Sequence, residues 1–248
     1  LNLLRRAMHA STFRTLARDL DGRLSVEQVG DDLSGLADAI LHLATHWCWQ
    51  RLLPKVHSMG FTNAPQDNLD EHFAIVAYGK LGGLELGYGS DLDLVFIHAM
   101  DEQADTDGTK VISGFEFAMR VAQKFMSLMT TQTLDGRVYE IDTRLRPSGE
   151  AGLLVTSLKA FEQYQFKSAW VWEHQALVRA RSIAGEKSLR TKFEHLRCRI
   201  LTQPRDEENV RTEVLKMRQK MKDHLGSSKE QQKDGIFHLK QEIGRAHV

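Results

Sequence analysis

The sequence predicts a mixed α/β or α+β core with helices on both sides of it. Two observations carry that prediction. Short apolar runs at residues 73–78, 92–97 and 138–142 read as strands, and apolar stripes at helical spacing lie between and outside them. Residues 1–56 read as helices, with Leu3, Leu4, Ala7 and Met8 on one face and Leu36, Ile40, Leu43 and Trp47 on another. Asp31, Asp32 and Ser34 offer capping chemistry for the second of these helices. The polar stretch 62–68 reads as a linker. Residues 73–78 then form a first strand ending at Gly79, and 92–97 a second after a glycine-rich turn. Residues 101–109 are an acidic loop. Ser113 with Glu116 is a capping box opening a helix whose apolar face is Phe115, Ala118, Met119, Ala122, Phe125, Met126 and Met129. Asp135-Gly136 marks a turn before the third strand. Beyond Ser157 the pattern is helical, and Val210, Val214, Met217, Met221 and Leu225 fall on one face.

Composition bounds the function classes. The 248 residues carry 33 Lys+Arg against 33 Asp+Glu, so a protein that coats nucleic acid is disfavoured. The balance hides an acidic block at 67–107 beside a basic block at 179–222. Such a pair fits a metal site next to a polyanion site, or two solvated faces that differ. Two cysteines without a CxxC spacing fit a reducing, cytoplasmic compartment. No apolar run approaches the ~20 residues of a membrane span. The N-terminus has no signal-peptide shape and does not begin with Met, so the chain is expected to be a fragment. Residues 242–248 match the translation of a common sequencing-adapter read and are expected to be a library artefact, with the natural sequence stopping near Gln241.

The chemistry concentrates between Gly79 and Leu94. There is no GxxxxGK[ST] and no GxGxxG, which excludes a Walker loop and a dinucleotide fingerprint. Strand periodicity puts Asp91 and Asp93 on one face, with Leu92 and Leu94 on the other. Two carboxylates side by side are costly unless a cation lies between them, and Mg²⁺ takes oxygen ligands together with substrate phosphates. Gly82, Gly83, Gly89 and Ser90 allow backbone N–H groups to approach a phosphate. A third carboxylate, Asp142, shares a strand face with Val138 and Glu140, and Arg144 and Arg146 follow it. Together these suggest a nucleoside triphosphate with Mg²⁺. The competing readings are a solvated strand end for Asp91 and Asp93, an ion pair between Asp142 and Arg144, and a surface cation at Lys80.

Gly-Ser-Asp-Leu-Asp after a strand and a glycine turn resembles the signature of the nucleotidyltransferase superfamily that includes DNA polymerase β. Three longer strings resemble bacterial glutamine synthetase adenylyltransferases: Tyr78-Gly79-Lys80-Leu81-Gly82-Gly83 through Ser90-Asp91-Leu92-Asp93-Leu94, then residues 139–149, then 172–181. The resemblance implies an α+β fold with a polymerase β-like core, a small mixed sheet with flanking helices. It divides the chain into an N-terminal helical segment at 1–66, a nucleotidyltransferase domain at 67–188, and the start of a truncated helical domain at 189–241. The family continues after Phe237-His238-Leu239-Lys240-Gln241 into a Gly-Gly-Ile-x-Asp-Ile-Glu-Phe motif that is absent here.

The family has an AMP-attaching and an AMP-removing half, and Gly87-Tyr88 and Glu173-His174-Gln175-Ala176 resemble the attaching one. The resemblance implies in-line attack of a tyrosine hydroxyl of glutamine synthetase on the α-phosphate of ATP, with pyrophosphate leaving. It implies two Mg²⁺ ions on Asp91, Asp93 and Asp142, with Asp142 helping to take the phenolic proton. Gly82, Gly83 and Ser90 would cradle the triphosphate, and Lys80, Arg144 and Arg146 would neutralise it. A PII signalling protein is the implied regulatory partner of the longer enzyme; neither nucleic acid nor membrane is. The alternatives are the phosphorolytic AMP-removing half and a non-catalytic nucleotide-binding module. Arg179 and Arg181 are expected at the site or between domains, or else on a basic helix face. Glu173, His174 and His98 are expected to be structural, and Trp170 and Trp172 to pack in the core.

Overall fold

The computed structural model describes residues 2–57, 72–100 and 111–225. The linker at 62–68, the acidic loop at 101–109 and the tail from 226 onward lie outside the described residues. Contacts divide the chain into two units, Leu1–Ala169 with Glu173–Thr202, and Trp170–Trp172 with Gln203–Val248.

The first unit is an α+β assembly built on a five-stranded mixed sheet. Strands β1 (Phe73–Ala77) and β2 (Leu92–His98) pair antiparallel, and β5 (Arg181–Gly185) pairs antiparallel with the other edge of β1. Two short strands, β3 (Ile141–Asp142) and β4 (Val155–Ser157), follow one another along the free edge of β2, both parallel to it. A parallel neighbour requires a crossover, and helix α4 (Gly114–Thr130) supplies it between β2 and β3.

The sheet is buried on both faces, and the period of two decides which residue meets which layer. Phe73, Ile75, Ala77, Leu92, Leu94 and Phe96 pack on α1 (Asn2–Leu20), α2 (Val26–His57) and α4. Ala74, Val76, Val95 and Ile97 pack on the opposite layer, formed by α5 (Leu158–Lys167), the part of α6 (Val171–Val178) from Glu173 onward, and α7 (Lys187–Leu201). Phe96 meets Phe125 of α4 edge to face at 5.6 Å. The second unit contains α8 (Glu207–Leu225), where Val210, Val214 and Met217 are half-buried as their spacing predicts. Among the described residues no helix is long and apolar enough to cross a membrane.

Several local expectations change. In α1 the buried residues are Leu4, Arg5, Met8 and Thr15, while Leu3 and Ala7 face out, so the inward stripe is not the purely apolar one. In α2 Leu36 and Ile40 turn inward, but Leu43 and Trp47 are exposed; the buried stripe runs Val29, Leu33, Ala37, Ile40, Leu41, Ala44 and Cys48. That helix begins earlier than expected, because Ser25 and Gln28 form a reciprocal capping box, Gln28 N–H to Ser25 Oγ at 3.3 Å and Ser25 N–H to Gln28 Oε1 at 2.9 Å. Asp32 instead accepts from Arg18, and Ser34 Oγ accepts from Leu86 N–H.

Helix α4 is capped by Ser113, which accepts from Glu116 N–H at 3.2 Å, but the Glu116 carboxylate pairs with Arg120 rather than reaching back. Its buried face is rotated to Phe117, Ala118, Val121, Ala122, Phe125, Leu128 and Met129. The third strand shrinks to Ile141–Asp142, since Val138 and Tyr139 bond back to Met129 O and Glu140 pairs with Arg137. β5 lies where helix was expected and β4 just before that stretch, where no element was expected; each is short and gains its partners only through the sheet. Trp170 is 56% exposed and Lys220 lies over its ring, which overturns its placement in the core.

Phe125→Ala removes a ring fully buried between α4 and the sheet, so it should cost about 3–5 kcal/mol of unfolding free energy in urea titration. Leu134→Ala, at a fully exposed position, should stay within about 0.5 kcal/mol.

Candidate active site

The acidic residues meet where β1 ends and β2 begins. Tyr78 N–H donates to the Asp93 carbonyl at 2.9 Å, and Leu92 N–H donates to the Glu140 carbonyl at 2.9 Å, so β2 is gripped from both sides at its first residues. The parallel register sets Asp93 directly beside Asp142. Asp93 shares its strand face with Val95 and Ile97, but it is only half-buried, because the covering layer gives out at this end of the strand. Leu92 and Leu94, on the opposite face, are fully buried and fix the orientation.

Gly79 permits this arrangement. Its φ is +55°, and an added Cβ would collide with Asp93 Oδ2, so the turn after β1 has room for the carboxylate only when residue 79 is glycine. The sequence motif contains Gly79, yet nothing in the residue pattern assigns it this contact. Burial raises the Asp93 carboxyl above the ordinary aspartate range, and the charges of Asp91 and Asp142 raise it further, while Arg144 and Lys80 oppose them.

Asp142 moves the other way. The Arg144 side chain holds its carboxyl below the usual range: Arg144 Nε donates to Oδ2 at 2.8 Å, Nη2 donates to the same oxygen, and the Arg144 N–H donates to Oδ1 at 2.8 Å. The ion pair weighed against a site role is therefore present. A cleft of about 500 Å³ opens here, lined by Asp91, Glu140, Asp142, Thr143, Arg144, Arg146 and Glu150. The guanidinium of Arg146 is committed to its own loop, donating to the carbonyls of Thr143, Glu150 and Gly152 and to Thr143 Oγ1 at 2.8–3.1 Å. It shapes the cleft more than it supplies free donors. Ser148, two residues on, sits at φ +62°, a left-handed backbone that a non-glycine residue adopts at a cost.

The glycine turn is tighter than a simple loop. Residues Gly79–Gly82 form the single helical turn α3. Gly82 N–H donates to Tyr78 O and Gly83 N–H to Gly79 O, so both groups are used inside the turn rather than left for a phosphate. Gly82 is needed for packing, since a Cβ there would strike the Arg179 carbonyl, and at Gly83 it would come within 2.8 Å of Arg179 Nε. Lys80 Nζ approaches Ser90 Oγ at 3.4 Å and bridges the two ends of the 80–90 segment.

Arg179 and Arg181 do not lie on a basic helix face. Arg179 pairs with Glu85 in the glycine segment. Arg181, at the start of β5, grips Asp38 of α2 bidentately at 2.6 and 3.1 Å and donates to Leu81 O at 3.1 Å. Both fasten the glycine segment to the body of the fold. Glu85 and Asp38 were not legible as their partners, because each lies more than ninety residues away in sequence. Glu173 accepts from the Tyr164 hydroxyl, His174 contacts Gln165 O, and His98 is buried with Nδ1 accepting from Met100 N–H.

The three carboxylates offer only hard oxygen donors, the kind a divalent cation such as Mg²⁺ prefers. In kind they suit such an ion, and Asp91 and Asp142 lie near enough to raise the Asp93 carboxyl. Among the described residues no three such side chains are gathered closely enough to hold a metal ion, and Asp142 is engaged by Arg144.

Comparison with known proteins identifies the family. A family profile described as glutamate-ammonia ligase adenylyltransferase matches residues 1–196. The chain belongs to that family. It is 64% identical over 98% of its length to the bifunctional glutamine synthetase adenylyltransferase/adenylyl-removing enzyme of Acinetobacter baylyi, covering 26% of that protein. It is 43% identical over 98% of its length to the protein of the same name from Vibrio parahaemolyticus, covering 25% of it. To that of Pseudomonas aeruginosa it is 48% identical over 92% of its length, covering 23%. The chain thus spans about a quarter of the length of the curated relatives it matches.

The opposite shifts give opposite pH dependences in the metal-free protein. Folding raises Asp93, so its folded form binds protons more tightly and stability falls as pH rises from the ordinary aspartate range through the raised value. Folding lowers Asp142, so its contribution is present above the ordinary range and is lost as pH falls through the depressed value. Thermal melts should show Asp93→Asn more stable than the parent at neutral pH and Asp142→Asn less stable. Equal destabilisation by both would contradict the site electrostatics.

Proposed function

We propose that this chain carries the AMP-attaching nucleotidyltransferase site of its family. It transfers AMP from ATP to a tyrosine of glutamine synthetase and releases pyrophosphate. The observation that supports this best is the side-by-side placement of Asp93 and Asp142 on parallel strands, with Asp91 adjacent and Arg144 at the mouth of the cleft. A carboxylate set of that kind is costly in a fold with no use for it. Gly87-Tyr88 and Glu173-His174-Gln175-Ala176 favour the attaching half.

Asp91, Asp93 and Asp142 would hold Mg²⁺, which when bound supplies Lewis-acid polarisation and neutralises phosphate charge. The protein's own groups do the rest. Arg144 sits where a triphosphate would enter and is the exposed cation best placed to exchange its carboxylate partner for phosphate oxygens. Lys80, bridged to Ser90, adds a point charge near Asp93. Asp142, on a strand end and oriented by its neighbour, accepts the proton of the attacking phenol, whose own pKa near 10 makes that transfer necessary. Arg146 holds the 143–152 loop so that this geometry does not drift. In the longer enzyme a PII signalling protein regulates the reaction. The ATP requirement and the two free cysteines fit a reducing cytoplasm.

The test combines this chain with glutamine synthetase, Mg²⁺ and α-labelled ATP. Label should appear on glutamine synthetase with release of pyrophosphate, and Asp93→Asn should lower the rate by more than about 100-fold. Mg²⁺ should also raise the melting temperature of the parent but not of Asp93→Asn, a readout independent of turnover. Phosphate-dependent release of ADP from pre-modified glutamine synthetase, with no forward labelling, would assign the site to the removing half instead.

A further inference from the structure

A second pocket lies away from the carboxylates, among α1, α2 and the end of α4. It measures about 710 Å³, and its lining includes Arg5, Trp47, Arg51, Lys124 and Thr131. Three of its side chains are cationic, and among the described residues no acidic side chain lines it.

Arg5 is the decisive member. It projects from α1 and is 1% exposed, which makes it one of the largest fully buried side chains in the protein. Its Nη2 donates to the Thr131 carbonyl at 3.0 Å and Nη1 makes a long contact to Asn2 Oδ1 at 3.4 Å. Its Nε has no hydrogen-bond partner, and among the described residues no carboxylate pairs with it. A guanidinium removed from water with neutral partners and one orphaned donor is costly, and an anion is the partner that removes the cost. Arg51 and Lys124 add two further cations at the rim. Trp47, exposed although its spacing predicted an inward face, supplies an apolar wall.

From Arg5, Arg51 and Lys124 around this cavity we infer a binding site for a small organic polyanion, a metabolite carrying two or more carboxylate or phosphate groups. The site is separate from the nucleotidyltransferase cleft and shares no lining residue with it. Its position gives binding a structural consequence. Thr131 and Thr133 begin the turn that runs into β3 and Asp142, and α1 already holds this turn through Arg6 and His9 against Asp135. An anion on Arg5 ties the same turn more firmly to α1.

The test uses citrate as carboxylate probe, phosphoenolpyruvate as mixed carboxylate and phosphate probe, and NaCl at matched ionic strength as control. At about a hundredfold excess over Kd, one or both probes should raise the melting temperature by roughly 5 °C over the control. The Arg51→Ala/Lys124→Ala pair, on exposed side chains, should weaken binding at least tenfold by calorimetry, whereas Arg144→Ala should leave it unchanged. Arg5→Met should abolish the response and, in anion-free buffer, melt no lower than the parent. If Arg5→Met does not fold, the rim pair decides. No shift with either probe would overturn the proposal, as would a shift that survives the rim pair and disappears in Arg144→Ala, which would place the anion at the nucleotidyltransferase cleft.

Discussion

The arrangement depends on one close approach, that of the Asp93 carboxylate to the backbone of Gly79. Tyr78 N–H bonded to the Asp93 carbonyl draws the end of β1 onto the start of β2. The missing Cβ at residue 79 leaves the space into which the carboxylate goes. From there the geometry propagates. The left-handed glycine starts α3, α3 uses the N–H groups of Gly82 and Gly83, and the Arg179 backbone closes over Gly82. Arg181 then binds the same segment to α2 through Asp38 and Leu81. The helices that precede the strands are thus fastened directly to the segment that positions the acidic site.

The strands that could be read from the sequence are those buried on both faces. Residues 73–77 and 92–98 are covered on both faces, so their apolar runs are unbroken apart from the acidic end of β2. β3 is legible only as the end of the 138–142 run, whereas β4 and β5, of three and five residues, exist because β2 and β1 offer them partners, which no local pattern reveals. The helical faces were harder to phase. In α2 the stripe drifts over 32 residues, and Leu43 and Trp47 end on the outside although they lie at regular spacing from Ile40. In α1 the inward position after Leu4 is an arginine, a choice that hydrophobic periodicity cannot anticipate.

At the site, the carboxylates could be found because they stand two residues apart in sequence, Asp91 just before β2 and Asp93 within it, with a third on the next strand end. The glycines could be found as glycines, but not by role. The pattern suggested backbone donors turned toward a phosphate, whereas two of those donors close the helical turn and the small side chains make room for Arg179. Long-range ion pairs such as Arg181 with Asp38 could not be read at all, since only the fold brings them together.

Arg144 connects the stability of the site with its use. Three carboxylates near one strand end repel one another, and the fold reduces that repulsion by giving Asp142 a guanidinium with three hydrogen bonds from a single residue. Arg144 is largely exposed while Arg146, two residues on, is tied down by four bonds, so an exposed cation and a committed one project from one loop. An anion entering this cleft would compete with Asp142 for the Arg144 guanidinium. Arg144 would have to leave Asp142 to meet that anion. Arg146 cannot follow, because its donors hold the loop from which Arg144 projects.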